Sequence, residues 1–359
     1  MNIRERPINY KPMKAIVYHA PGDIRIAEIP KPECKSGELL VRVDACAVCG
    51  TDLKSKLSGN PRIKAPLVMG HEFTGIVETI PPGAVGNFQS GDRVVMATTI
   101  ACGKCFYCQR GWRNICESIA PMGFSYPGGM AEYVAIPALA LEGGHVIKVP
   151  QNVDAKHAAL AEPVSCAVNS VGQCGVQQGD TVLVMGAGPM GLLNALVARA
   201  AGAKTVLLSE PNPLRRSQAE QFDLDRVLDP ETDDVAKIVQ DITDGRGMDV
   251  VIVAAPAIPP QEQALSLVRR RGTVCLFASL PPDKRMITID SRILHYGEIR
   301  LIGSSDSTPE HVREAVAMIA TKQIPVEKIV SHCLPLAEIE HAFELMMSGE
   351  ALRVVLLCH

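Results

Sequence analysis

The chain has 359 residues, 47% of them hydrophobic and 21% charged, with a formal net charge of −3. That length supports about two domains, and the near-neutral balance gives no basis for a nucleic-acid partner or an anionic membrane surface. No stretch approaches the roughly 18 uninterrupted apolar residues of a membrane span, and the polar start at residues 1–12 lacks an apolar signal core. Twelve cysteines in such a chain read as reduced thiols of a cytoplasmic protein, clustered for metal rather than for disulfides.

In chain order, residues 13–165 read as β-rich. Apolar runs at Lys14–Tyr18, Glu38–Val43, Phe73–Ile80 and Asp92–Met96 alternate with Pro and Gly turns. Residues 99–129 show little periodicity, and a loop that long needs something other than hydrophobic burial to hold it. A helix is predicted over His157–Gly172. Buried strands follow at Thr181–Met185, Thr205–Ser209, Asp249–Ala254 and Thr273–Phe277, with helices between them, including Met190–Ala201. Such alternation builds a parallel sheet. Two more helices, Pro309–Thr321 and Leu336–Ser348, and a last strand, Leu352–Leu357, complete the reading.

Three motifs carry chemistry. Cys102, Cys105, Cys108 and Cys116 form a C-x2-C-x2-C-x7-C run. Four thiolates close a tetrahedral shell, which describes a structural zinc that staples the lobe. A ferredoxin-type cluster needs its fourth cysteine after three residues and before proline; here the gap is seven and Glu117 follows.

The second motif joins Cys49 of Cys49-Gly50-Thr51-Asp52 to His71 and Glu72 of Gly70-His71-Glu72. Three mixed ligands with one open position describe a catalytic zinc. Asp52 is a candidate acceptor for the free ring N–H of His71. Glu162, an acid opening an apolar helix, either reaches this metal or answers the helix dipole. Cys46 with Cys49 spells C-x-x-C but lacks the strand–helix context of a redox pair, so Cys46 reads as a small buried hydrophobe.

The third motif is Gly186-Ala187-Gly188-Pro189-Met190-Gly191, between a strand and a helix, with Glu210 at the end of the next strand. It is a dinucleotide fingerprint, with free helical N–H groups for the pyrophosphate and Glu210 for the ribose hydroxyls. A carboxylate there repels a 2′-phosphate, so NAD is expected over NADP; Arg215 would pull the other way.

These motifs, in this order, resemble the zinc-dependent medium-chain dehydrogenase/reductase family along nearly the whole chain, from about Met13 to His359. The resemblance implies an α/β fold with two parts. A GroES-like catalytic domain would comprise residues 1–165 and 304–359, with the zinc lobe at about 99–129. A Rossmann doubly wound parallel-sheet domain would comprise residues 166–303. Also implied are two zinc ions per subunit, NAD, an interdomain active site and a homodimer or homotetramer assembled through the Rossmann sheets. Ala161-Glu162-Pro163 is similar to the sorbitol and polyol dehydrogenase branch, in which Glu162 occupies a ligand position. Thr51 matches a hydroxyl that relays the substrate proton, and Lys54 stands where liver-type enzymes continue the relay with histidine. Arg353 resembles an arginine that touches the cofactor pyrophosphate, and Phe124 is a candidate pocket wall.

The expected reaction is hydride transfer between a secondary alcohol, such as a polyol or sugar, and NAD. An L-threonine 3-dehydrogenase activity is the alternative, favoured by a pocket that pairs ammonium and carboxylate. A non-catalytic NAD(H)-binding relative is the third reading; it would be expected to lack zinc ligands, all of which are present here.

Overall fold

The computed structural model describes residues 12–359; the polar start at 1–11 lies outside the described residues. Both chain ends build one seven-stranded sheet. Its order is Val146–Lys148, Arg93–Met96, Glu72–Thr79, Leu39–Ala47, Arg353–Leu357 and Val330–Pro335, with Tyr133–Ile136 also on Leu39–Ala47. The last strand enters antiparallel, setting Val355 opposite Ala47 and Leu356 opposite Cys46. Pro12–Ala20 pairs with Asp23–Pro30 and Leu67–Val68 in a smaller sheet beside it.

The middle of the chain forms a six-stranded parallel sheet. Its strands are Thr181–Met185, Thr205–Ser209, Arg226–Leu228, Met248–Val253, Val268–Leu276 and Arg300–Gly303. Across the sheet they run third, second, first, fourth, fifth, sixth in chain order. The order therefore reverses beside Thr181–Met185, and the crevice past the strand ends at such a switch point is where this architecture binds ligands. The predicted strands Thr181–Met185 and Thr205–Ser209 are found with those bounds.

The strand predicted from Thr273 begins at Val268, the helix predicted from Leu336 begins at Ile339 after a short 3-10 turn, and the helix predicted from His157 also needs correction. Instead of a single helix from His157, Ala155–Ala158 is a short turn and the long helix is Ala161–Cys174. Proline is tolerated only in a helix's first turn, so Pro163 forces the helix to begin just before it. That helix ends at Gly175 in the left-handed conformation. Its buried face belongs to a single apolar cluster that holds Ala45, Ala47 and Val95 of the first sheet together with Val182 and Val184 of the parallel sheet. Contiguous packing of this kind fixes the two sheets relative to each other, and hence the walls of the cleft between them. Among the described residues, no helix is long and apolar enough to cross a membrane.

Candidate active site and metal centres

The four lobe cysteines converge. Their sulfurs all lie within 4.8 Å of one another, with Cys105–Cys108 at 3.5 Å, Cys105–Cys116 at 3.8 Å and Cys102–Cys108 at 4.0 Å. Metal–sulfur bonds of ~2.3 Å to one tetrahedral ion put sulfurs about 3.8 Å apart. The backbone N–H groups of Cys102 and Ser118 both donate to Cys116 Sγ at 3.3 Å. Donation from the Cys108 and Glu117 backbone lowers the Cys105 thiol to about 6, while burial pushes Cys108 up to about 12. All twelve cysteines are free thiols, so nothing competes with a metal for the cluster, and the donor set fits zinc.

Cys49, His71 and Glu72 converge as well, their ligand atoms within 4.8 Å of one another. Local structure explains how. Cys49 is the N-cap of the helix Gly50–Ser58, and its N–H donates to Asp52 Oδ2 at 2.9 Å. Asp52 Oδ1 then faces His71 Nδ1 at 3.7 Å, which places a carboxylate beside the imidazole. His71 and Glu72 stand at the start of the strand Glu72–Thr79. Arg353 Nη2 pairs with Glu72 Oε1 at 3.1 Å, and Nη1 donates to the Val48 carbonyl at 3.1 Å.

The electrostatics of this group call for a cation. Burial opposes charge on His71, but the Cys49 sulfur and then Asp52 outweigh it, and the imidazole is raised well above its ordinary range. A proton or a divalent ion answers such a field. Buried His71 Nδ1 and Glu72 Oε2 have no hydrogen-bond partner among the described residues. The set fits zinc, with a coordination position to spare. Glu162 stands outside the 4.8 Å group, although its charge acts on His71. Burial, reinforced by Glu72 and Asp306, pushes its carboxyl up to about 7. Cys166, one turn along the helix, donates to Glu162 Oε1 at 3.6 Å.

A cavity of about 1200 Å³ opens over this group. Thr51 lines it, its hydroxyl 3.7 Å from Cys49 Sγ. Phe124 is a wall, buried, with its ring centroid 5.2 Å from that of His71. Lys54 is exposed and does not line the cavity. Cys46 is fully buried with no cysteine partner, as a small hydrophobe should be.

The glycine turn reaches the same cavity through Met190. Gly186 has φ +110°, and a Cβ on Gly191 would stand 1.9 Å from the Gly186 carbonyl oxygen. A Cβ on Gly188 would meet nothing within 4 Å, so this face lies open to a ligand. Gly188 caps the helix Pro189–Ala200, with Pro189 at its start. The buried Glu210 accepts from Ala187 N–H at 2.7 Å and Asn212 N–H at 2.9 Å, which anchors its carboxylate beside the turn. Arg215 is half-buried, and its backbone N–H completes the Asn212 cap. Arg216, which the sequence did not single out, donates to the Glu210 carbonyl at 2.9 Å and pairs with Asp229.

Other cavity residues went unnoticed in the sequence. Trp112, Arg113, Asn114 and Ile115, between the third and fourth lobe cysteines, line the cavity, so the lobe is also a wall of the site. Arg62 and the turn Ser304–Asp306 line it too. A polar Asn169 in an apolar helix was the available signal for that turn, since its side chain donates to the Ser305 and Asp306 carbonyls.

The chain matches two family profiles, "Alcohol dehydrogenase GroES-like domain" over residues 35–151 and "Zinc-binding dehydrogenase" over residues 189–321. It is 36% identical over 353 residues to an L-threonine 3-dehydrogenase of Pyrococcus horikoshii, covering 96% of this chain and 98% of the relative. A sorbitol dehydrogenase of Halalkalibacterium halodurans is 32% identical over 351 residues, 96% and 99% of the two chains. Among solved structures, a zinc-binding dehydrogenase from Sinorhizobium meliloti bound to NADP superposes with a TM-score of 0.88. It is 31% identical and covers 97% of this chain and 99% of its own.

Proposed function

The chain belongs to the zinc-dependent medium-chain alcohol dehydrogenase family, and from that premise we propose how its residues divide the work of oxidising a secondary alcohol with a nicotinamide cofactor. The observation that carries the reading is the convergence of Cys49, His71 and Glu72 under a cavity that extends to the glycine turn. Cys49, His71 and Glu72, with Glu162 beside them, hold the catalytic zinc; Cys102, Cys105, Cys108 and Cys116 hold the structural one. When bound, zinc supplies Lewis acidity to an alcohol oxygen, and the nicotinamide supplies the hydride acceptor.

The chain's own groups bind, orient and exclude water. Asp52 orients His71, and Phe124 shields one side of the ligand group. Thr51 Oγ accepts the substrate's hydroxyl proton in transit. Because Lys54 faces outward, the onward proton route differs from the histidine relay that the resemblance suggests. Gly186, Gly188, Pro189, Met190 and Gly191 receive the pyrophosphate, and Arg353, whose Nη2 is 3.9 Å from Met190 Sδ, completes that side. Glu210 takes the ribose hydroxyls and favours NAD over NADP.

The wider assignment follows the same reading. A catalytic domain comprises residues 1–165 and 304–359, with a Rossmann domain at 166–303. The protein is a cytoplasmic homodimer or homotetramer. Its substrate is a secondary alcohol with a polar substituent on the next carbon, as in polyols and sugars and in L-threonine. Screening NADH formation against polyols, aldoses, diols and L-threonine tests this directly. Turnover of at least one group supports it, and a zinc-loaded protein inert to all of them would leave only the non-catalytic NAD(H)-binding reading.

A further inference from the structure

The cavity wall carries two charges that the reaction itself does not use. Arg62, in the loop before the strand Leu67–Val68, stacks its guanidinium carbon 4.9 Å from the Phe124 ring centroid. The same ring has its centroid 5.2 Å from that of His71, so Arg62 stands about one aromatic ring from the ligand group. No carboxylate pairs with its guanidinium among the described residues, and it faces the cavity from an exposed rim.

Asp306, in the turn after the strand Arg300–Gly303, lines the same cavity. It sits at φ +51°, in the left-handed region that Asp and Asn enter more readily than other side-chain-bearing residues. Three hydrogen bonds hold the turn around it. Asn169 Nδ2 donates to the Asp306 carbonyl at 2.8 Å, Asn114 Nδ2 to the Ser305 carbonyl at 2.8 Å, and Ser165 Oγ to Ser307 Oγ at 2.7 Å. The Asp306 carboxylate itself has only a 3.4 Å contact with the Ser305 hydroxyl. Burial raises its carboxyl above the usual range, opposed first by the charge on Arg62 and then by His71. Both charges line one cavity with no ion pair between them, an arrangement that suits a small molecule bearing both signs of charge.

We propose that Arg62 and Asp306 select the substrate by charge: Arg62 receives a carboxylate two carbons from the reacting hydroxyl, and Asp306 receives an ammonium on the carbon between. A guanidinium suits a planar carboxylate because its N–H groups pair with both oxygens. The favoured class is therefore a β-hydroxy-α-amino acid, with a simple hydroxy acid second and a neutral diol third. The inference rests on the alcohol-oxidising reading of the same site.

Steady-state kinetics of the zinc-loaded enzyme with NAD test it, using L-threonine, a four-carbon aldonate, erythritol phosphate and 2,3-butanediol. Arg62→Ala should lower kcat/KM for threonine and the aldonate by about tenfold or more, mainly through KM, as expected for losing a charged hydrogen-bonding partner. The diol should be unaffected, and Arg62→Lys should restore part of the loss. Asp306→Asn, which suits the same backbone conformation, should erase the advantage of threonine over the aldonate. Calorimetric titration of threonine should show the same loss of binding in Arg62→Ala. Equal losses on all substrates, or a wild-type preference for the diol or the phosphate ester, overturns the charge-selection inference. Absence of turnover with every alcohol would instead defeat the dehydrogenase reading on which it stands.

Discussion

Arg353 Nη2 lies 3.1 Å from Glu72 Oε1, both side chains are buried, and the same guanidinium holds the carbonyl of Val48, the residue before Cys49. One side chain on the last strand therefore ties together two segments that carry ligand atoms. Its position follows from the antiparallel pairing of that strand with Leu39–Ala47.

Removing either partner leaves the other as an unpaired buried charge, which costs about 3–5 kcal/mol. Arg353→Met and Glu72→Gln should each lower stability by that order in denaturant titrations. The double variant should lose less than the sum of the two single losses. Additive losses would show that the pair is not coupled.

The lobe prediction has two parts, because the cysteine cluster and the cavity share a segment. Cys105→Ser should lower the melting temperature by removing a metal ligand. It should also raise KM, because Trp112 to Ile115 would lose their fixed position on the cavity wall. An unchanged melting temperature would count against a metal in the lobe.

Glu210 is anchored by two backbone N–H groups beside the open face of the glycine turn. Glu210→Ala should shift the ratio of kcat/KM for NAD over NADP downward by about tenfold, the scale of a lost charged hydrogen bond. A constant ratio would remove Glu210 from the ribose site.

His145 gives a pH prediction that involves no metal-ligating residue. It is 1% exposed, its Nδ1–H donates to the Ala97 carbonyl at 3.0 Å, and its Nε2 has no partner among the described residues. Burial is the main cause of a pKa below the ordinary 6.5, so the folded state holds this ring neutral while the unfolded chain protonates it. Its contribution is complete above pH 6.5 and is lost as pH falls from there towards the folded-state value. Thermal melts should show this acid-side loss, and His145→Gln should flatten the curve over that window. Identical slopes would exclude the ring as its source.

Legibility in the sequence followed the range of each interaction. The lobe cysteines, Cys49-Gly50-Thr51-Asp52, Gly70-His71-Glu72 and the glycine turn are local patterns whose chemistry depends on short spacing, and each is found assembled. The parallel strands Thr181–Met185 and Thr205–Ser209 are continuous apolar runs, which made their bounds readable, whereas Val268–Leu276 was read only from Thr273 because Arg269 to Arg271 interrupt it. The helix Gly50–Ser58 escaped notice because it is short, polar and opened by a cysteine in place of a usual cap. Arg62, Asn114, Asn169 and Asp306 come from four separate stretches, and only tertiary packing brings them to one cavity. The same holds for Arg353: its place on the last strand was visible, whereas its grip on Glu72 and Val48 depends on strand pairing across the length of the chain.

The most direct test of the account is zinc content per chain, measured with NADH formation, in the wild type and in Cys49→Ser. Two ligand groups predict about two zinc ions per chain in the wild type. Cys49→Ser should retain the lobe metal, lose the other and lose turnover while remaining folded. Unchanged zinc content with normal turnover in that variant would contradict the assignment of Cys49, His71 and Glu72 as the catalytic centre.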